Sequence, residues 1–542
     1  MEGEEDVFWA DKVVERIVER NKNKYVVNDS KTPSGRIHIG HIRGWVIHQI
    51  IYEALNDAGL KAEFRLGQDD FDELDKIPSY FQGKISKEWL GKPLCNVPAP
   101  FGEYKNYGDA MFGEVKEHFE ELNLTPLRYK TSELYRQGEF DAGLKEMLDN
   151  AKKINEINAR ISGAQKPGEY LPFKPVCENC GKIMTTFAFD WNGKTVKYRC
   201  RKSLAEGGGE SEGLKKADAV AGCGHEGEIS PFGGTGKAIF KLEWPIRWKL
   251  FGVDCEFAGK DLYTKNGARE VADVLSDEVF QYPHPYGEGY EFFNLGTQKM
   301  SSSKGVGVAA ADVLSSIEPK LLRFLMTKTR PKTHISFDPS SNAIPFLYEE
   351  YDKMERTYFE REEERDGKRK AHVKRVYELS QTRAIPKQLP VQVPFSFAAA
   401  LVQVAKGREL EVLKRTGHIP RNASSEDTTV ARSRLDYAKK WLKGYAPEEY
   451  RMKILEEMPN VQVDPRISAL FAEVAEKLKK RVDGEKIQLY IYNAAREKNI
   501  PVQQVFATAY KLIIGKERGP RLGPFLVSLE RDFIIPRLRL ES

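Results

Sequence analysis

Three groups of residues in this 542-residue chain have the types and spacing to do chemistry. The first is Thr32-Pro-Ser-Gly-Arg-Ile-His-Ile-Gly-His41. His38 and His41 stand three residues apart at an expected helix start, so both imidazoles face one way beside backbone N–H groups that lack intrahelical partners. Gly40 lets a nucleotide approach the backbone, and a helix N-terminus favours an anion. Donors gathered around a phosphate suit transfer at phosphorus, where negative charge grows on the equatorial oxygens. Two solvated histidines near a turn are the competing reading. The second group is Lys299-Met-Ser-Ser-Ser303 with Lys304-Gly305. A lysine among three hydroxyls, followed by glycine, suits a polyphosphate-binding loop; alone, it reads equally as a Ser-rich turn.

The third group is thiol chemistry. Cys177-x-x-Cys180, Cys200 and Cys223-Gly-His225 supply the number of ligands a tetrahedral structural Zn²⁺ requires. Cys177, Cys180, Cys200 and Cys223 are the favoured set, with His225 as the alternative fourth ligand. The irregular spacer after Cys200 leaves four unrelated thiols as the other reading. Cys95 and Cys255 are isolated and read as small core residues.

The elements that must position these groups follow from patterning. Lys24–Asn28 reads as a short strand. A helix is expected from about His38, with Ile39, Ile42, Val46, Ile50 and Leu55 on one stripe and Gly59 as its stop, and Ala62–Leu66 reads as a second strand. Strand, helix and strand in so short a stretch predict a parallel pair with a right-handed crossover; a ligand would sit beyond the carboxyl ends, where the 29–41 loop, Asp69 and Asp70 lie. Residues 96–234 read as an insertion with amphipathic helices near 108–122 and 139–162 and a Gly-rich cysteine segment. From 311 onward the pattern turns helical. Tyr351–Leu379 reads as a solvated helix pair broken at Gly367, and Pro386–Pro394 as a linker.

Composition sets the bounds. The chain is 40% hydrophobic and 30% charged, which excludes disorder throughout and predicts three or four domains. No apolar run approaches the roughly 20 residues a bilayer requires. The mixed-charge start shows no signal peptide, and six cysteines are too few for a disulfide framework. A cytoplasmic, reduced protein without a membrane partner is expected. A formal charge of +5 permits nucleic-acid binding without diagnosing it.

The pairing of His-Ile-Gly-His at a helix start with Lys-Met-Ser-Ser-Ser much later resembles the signature pair of class I aminoacyl-tRNA synthetases. Further segments resemble the class I (archaeal-type) lysyl-tRNA synthetases: Asp69-Asp-Phe-Asp-Glu-Leu-Asp-Lys-Ile-Pro78, Glu243-Trp-Pro-Ile-Arg-Trp248, Gly259-Lys-Asp261, Tyr290-Glu-Phe-Phe293, Thr329-Arg-Pro-Lys-Thr-His-Ile-Ser-Phe-Asp338, Tyr351-Asp352 and Val393-Pro-Phe395. The resemblance runs from about residue 5 to 540. The family usually has Asn where His41 stands, His where Leu262 stands and Arg where Asp75 stands. Ser302 replaces the second lysine of many class I enzymes, as is usual in this family, and Lys304 is its substitute.

This resemblance implies a Rossmann-type α/β catalytic domain with an inserted zinc-binding domain, followed by an all-α C-terminal anticodon-binding region. The expected division is 1–95 and 235–310 for the two catalytic halves, 96–234 for the insert, 311–385 for a stem-contact-like helical domain and 386–542 for the anticodon-binding helices. The implied reaction joins lysine to ATP, with its Mg²⁺, as lysyl-adenylate and then transfers lysine to tRNA(Lys). His38, His41, Lys299, Ser301 and Ser302 are the implied catalytic residues. Pro33, Ser34, Gly35, Ile39, Gly40, Met300, Ser303 and Lys304 would contact ATP. Ser30, Thr32, Asp69, Trp244 and Tyr290 would contact the amino acid, with core packing the alternative for Trp244 and Tyr290. The substrate ammonium needs an acidic or hydroxyl-rich partner, for which Asp69, Asp70 and Glu291 are available. Lys328, Arg330, Lys332, Lys368, Arg369, Lys370 and Arg375 are candidates for the RNA backbone, or a solvated face. Relatives often hold a second zinc in the Pro-rich loop; Ala99-Pro-Phe-Gly-Glu-Tyr-Lys105 offers it no thiol or imidazole. A glutamyl-type synthetase, using Arg43 or Arg247 on a substrate carboxylate, is one rival reading. A catalytically silent RNA-binding paralogue is the other.

Overall fold

The β-branched run after Lys24 and the alternating segment from Ala62 form strands β1 (Tyr25–Lys31) and β2 (Ala62–Gln68). They pair in parallel, from Tyr25 with Ala62 to Lys31 with Gln68. Helix α1 (Ile39–Asp57) connects them; Gly59, at φ +76°, takes up the left-handed turn that ends it. The computed structural model describes residues 7–202, 220–296, 309–405, 407–480 and 482–541. Each strand runs beyond its apolar stretch. Backbone pairing continues through Asp29, Ser30 and Lys31 opposite Leu66, Gly67 and Gln68, carrying polar residues to the carboxyl end of the sheet.

Strand β3 (Leu127–Lys130) adds in parallel beyond β2. On the other side of β1, Val27 bridges Cys255 and Cys255 bridges Tyr286, both parallel. The spatial order is therefore β3, β2, β1, then 255 and 286, so the chain reverses direction across the sheet at β1. Helix α1 lies on this sheet with Ile42, Trp45, Val46, Ile50 and Leu55 fully or almost fully buried.

By contact, the chain divides into two units. The first comprises Met1–Ser315, Leu322–Phe337 and Arg375–Arg383, and the second Ser316–Leu321, Asp338–Lys374 and Ala384–Ser542. Within the first, β3 lies in the parallel sheet, so residues 96–234 are not a wholly separate insertion; within them a helix covers Tyr107–Lys116, capped by Asn106. It ends sooner than the pattern predicts, a 3₁₀ turn covering Glu120–Leu122. The helix expected over 139–162 is two, Asp141–Asp149 and Ala151–Ser162. The side-chain amide of Asn150 donates to the Glu146 carbonyl (2.8 Å), so it closes one helix where the next begins. Strands Thr186–Trp191, Val196–Cys200 and Glu226–Ile229 form an antiparallel sheet, and Phe173–Pro175 pairs with Gly236–Ala238. The chain then enters helix α2 (Phe240–Phe251).

The second unit contains no strand among its described residues. Its helices include Ala343–Tyr358 and Ser425–Gly444, the latter opened by a Ser424/Asp427 capping box. Arg434 forks onto Asp352 at 2.9 and 3.0 Å with both side chains buried. Farther along, Ile467, Leu470, Val474, Ile487, Ile491 and Ile513 pack in one apolar cluster. Among the described residues, no helix is long and apolar enough to cross a membrane.

Candidate active site and cysteine centre

His38 caps α1 rather than entering it. Its backbone is extended (φ −103°, ψ 164°), and its Nδ1 accepts the Gly40 N–H at 3.2 Å. The His41 ring stacks on it, centroids 3.7 Å apart. A Cβ on Gly40 would lie 3.0 Å from the His38 ring, so a side chain there would press on the pair. Burial, reinforced by the nearby Lys31 charge, holds His38 at about 3 and His41 well below its ordinary value. Both rings are therefore neutral near pH 7. The buried Nδ1 of His41 has no partner among the described residues.

This burial has a sign that can be measured. The unfolded chain takes up a proton near pH 6.5 that folded His38 refuses until about pH 3, so stability falls as pH drops through that interval. From pH 7 to pH 5 the His38 contribution is about 2 kcal/mol. Urea unfolding should show a smaller acid loss in His38→Gln than in the parent. Equal losses would assign the pH dependence to other groups.

The loop before α1 is fastened on several sides. The Tyr107 hydroxyl donates to the Ser34 carbonyl (3.0 Å) and the Arg36 N–H to the Tyr80 hydroxyl (2.9 Å). Pro33 and Gly35 are buried, and Ile39 is fully buried in the core, leaving its backbone rather than its side chain at the helix start. Lys299, Met300, Ser301, Ser302, Ser303 and Lys304 lie outside the described residues. The residues flanking that stretch do reach the helix start: the Ala310 N–H donates to the Ile37 carbonyl (2.7 Å), and the Phe293 carbonyl lies 3.7 Å from a Cβ built on Gly40.

At the end of β1 the hydroxyls face carboxylates. Ser30 Oγ donates to Asp69 (2.8 Å), which also accepts from Thr131 (2.7 Å) and pairs with Arg247 (2.8 Å). Burial alone would raise Asp69; Arg247 and Lys237, with the two hydroxyls, outweigh it and hold the carboxyl below its ordinary value. Thr32 donates to Asp72, which pairs with the buried Lys237, and Lys237 also meets Glu243 at 2.8 Å. The Tyr135 hydroxyl completes the chain by donating to Glu243 (3.0 Å). Sequence patterning gave no sign of this network because its members are scattered along the chain.

Of the three acids considered for a substrate ammonium, Asp69 is neutralised by Arg247. Asp70 is held by the Ser132 N–H and hydroxyl and pushed up to about 6 by burial. Glu291 pairs with Lys260. Two other carboxylates stand by Tyr290: burial pushes its phenol far up, with Asp29 and Asp261 adding to the effect. A Cβ on Gly44 would sit 2.5 Å from the Tyr290 hydroxyl and 3.2 Å from Asp29 Oδ2, so the absence of a side chain makes that corner. Asp29 is steadied by the Ser30 N–H (2.8 Å) and by buried His48, 3.3 Å away. The Phe257 N–H donates to His48 Nε2 (2.9 Å), which places the imidazole proton on Nδ1, facing the Gly44 carbonyl and Asp29. Trp244 instead continues a row of rings between exposed Phe240 and buried Trp248, against Val26, Val253 and Ala272.

The two arginines considered for a substrate carboxylate are both occupied. Arg43 donates to the carbonyls of Glu291, Phe292, Arg330, Pro331 and Thr333 at 2.7–3.2 Å. Arg247 holds Asp69 and Tyr129. Several cations considered for RNA are also paired: Arg375 with Asp11 and Asp57, Lys332 with Glu288, Arg369 with Glu364 and Lys370 with Glu360.

The thiols of Cys177, Cys180, Cys200 and Cys223 all lie within 4.8 Å of one another and form a group that could hold a metal ion. Cys177 and Cys223 are 3.6 Å apart, and Cys180 and Cys200 are 3.7 Å apart. A tetrahedron of roughly 2.3 Å zinc–sulfur bonds requires sulfurs about 3.8 Å apart, so the donors and their spacing fit that ion. His225 lies outside the group. Gly222 allows the close return of the chain: a Cβ there would lie 2.4 Å from the Arg201 carbonyl and 2.6 Å from Cys200 Sγ. The Ile183 and Met184 N–H groups donate to the Gly91 carbonyl, tying the centre to the segment after β2. Cys255 is fully buried; Cys95 is half-buried beside Arg136.

A family model described as tRNA synthetases class I (K) matches residues 7–383. A lysine–tRNA ligase of Pyrococcus horikoshii is 34% identical over 99% of this chain and all of its own length, and so is one of Pyrococcus furiosus. The lysine–tRNA ligase of Thermococcus kodakarensis is 33% identical with the same coverage. With the paired imidazoles at the start of α1 and matches this long, the chain belongs to the class I (K) tRNA synthetases.

Proposed function

We propose that this protein is a lysine–tRNA ligase, which activates lysine with ATP and passes the lysyl group to the 3′ end of tRNA(Lys). The observation that carries the reading is the pairing, at one end of the sheet, of two neutral stacked imidazoles with a corner made by Asp29, Asp261 and Tyr290. The imidazoles offer uncharged donors to phosphate oxygens, and the corner offers negative charge and a hydroxyl to an ammonium. Occupied Arg43 and Arg247 leave neither for the carboxylate of a glutamate side chain, which favours lysine over the glutamyl alternative.

In this reading the parallel sheet belongs to the Rossmann-type catalytic domain, to which residues 1–95 and 235–310 contribute together with β3 from within the 96–234 segment. Residues 311–385 contact the tRNA stem, and 386–542 bind the anticodon. Gly40 and the first N–H groups of α1 receive the phosphates of ATP with His38 and His41, and Mg²⁺ would be held by the phosphate oxygens. Lys299, with Ser301, Ser302, Ser303 and Lys304, closes on the leaving pyrophosphate from a segment whose flanks rest on the helix start. Ser30 and Thr32 line the amino-acid side, fixed by Asp69 and Asp72. Zn²⁺ in the four-thiol centre is structural, and the enzyme works in the cytoplasm.

Lysine-dependent ATP–pyrophosphate exchange tests the assignment. Exchange with lysine and not glutamate is expected; exchange with glutamate alone, or with no amino acid, refutes it. Lys299→Ala should lower the exchange rate about 10²-fold and leave tRNA affinity nearly unchanged. Equal losses in both would contradict the role given to that lysine.

A further inference from the structure

Lys31 is the last residue of β1, between the two hydroxyls that face carboxylates and just before the loop that carries the imidazoles. Its backbone is fixed, because the Asp69 N–H donates to its carbonyl (2.9 Å). Its side chain is half-buried. Burial lowers its pKa against the opposing pull of Asp29, Asp261, Asp69 and Asp72, and it makes no hydrogen bond or ion pair with any described residue. Three of those acids already have donors: Asp69 has Arg247, Ser30 and Thr131, Asp72 has Lys237 and Thr32, and Asp29 has the Ser30 N–H and His48. A lysine with no partner among the described residues thus stands near both imidazoles, one of which keeps a buried nitrogen with no partner among those residues. A cation and an orphaned ring nitrogen converging from the strand end and the helix start form a receptor for an anion.

We infer that Lys31 binds the α-phosphate oxyanion of ATP and of the adenylate, a catalytic contact between the amino-acid corner and the imidazole pair. This rests on the ligase reading given above. The charge at the α-phosphorus grows as the lysine carboxylate oxygen attacks it and pyrophosphate leaves, so an ammonium at that point favours the transition state over bound ATP.

Equilibrium binding of AMP, adenosine and lysine to Lys31→Met and to the parent protein decides the matter. AMP affinity should fall about 10–100-fold, the range for losing a hydrogen bond to a charged group, with adenosine and lysine each changed by less than about two-fold. Lysine-dependent exchange should fall by a similar factor, and Lys31→Arg should recover most of it because the charge is kept. Weakened lysine binding with AMP unchanged would place Lys31 on the amino-acid carboxylate and overturn the inference. Equal losses for AMP and adenosine, or no loss for either, would overturn it as well. AMP and adenosine binding need no amino acid. If the parent protein forms no lysyl-adenylate, the ligase reading fails while the AMP comparison still decides the role of Lys31.

Discussion

Arg247→Met is expected to lower folding stability by about 3–5 kcal/mol, because it removes one partner of a buried ion pair and leaves the other behind. Arg247 is 1% exposed and its guanidinium lies 2.8 Å from Asp69, whose remaining partners are hydroxyls. Methionine keeps the aliphatic stem, so loss of packing is a small part of the change. Activity should suffer separately. Ser30 hangs on Asp69, so KM for lysine should rise more than KM for ATP. Urea unfolding of Arg247→Met, Asp69→Asn and the double variant checks the assignment: the double variant should be less destabilised than the two single losses added together. Additive losses would mean that the two side chains do not act as a pair.

The largest effect is expected at the cysteine centre. Cys177→Ser removes one of four thiol donors, and a structural zinc contributes about 10–16 kcal/mol of folding free energy in small domains. The purified parent should contain one zinc per chain and the variant none. Proteolysis of the variant should begin between residues 173 and 238. The damage should reach the active site through the Ile183 and Met184 contacts with Gly91, whose own N–H donates to the Leu74 carbonyl two residues beyond Asp72. Parent protein without zinc, or a variant that keeps it, would remove the metal assignment.

What the sequence made legible were features encoded at short range. The two histidines read as a helix-start pair because three residues bring them to one face, and the structure stacks their rings. The cysteines read as a ligand group from their number, and the structure gathers the favoured four while leaving His225 out. The corner around Tyr290 was illegible. Asp29 reads as the tail of a strand and Asp261 as one acid among many, and only the parallel pairing of 258–259 with 289–290, together with the bare face of Gly44, brings them near one phenol. Arg43 and Arg247 looked free to meet a substrate because sequence shows a charge and not its partners; five carbonyls hold the first, and Asp69 with the Tyr129 hydroxyl holds the second. Lys31 is illegible between Ser30 and Thr32 for the opposite reason, since its significance lies in pairing with none of the described residues.

The order of strands in the sheet also bears on how the chain is made. Val27 has its neighbour on one side at Phe64, but on the other at Cys255, more than two hundred residues further on. At roughly 5–20 residues per second, a ribosome takes about 10–45 s to deliver that second neighbour. Throughout that interval the newborn β1 presents an open row of backbone amides and carbonyls, the template on which unrelated chains stick. The long detour through the residues between β2 and Cys255 therefore lengthens the exposure of this open edge during biosynthesis, and slower translation or chaperone depletion should reduce the yield of this protein before either affects the activity of molecules already folded.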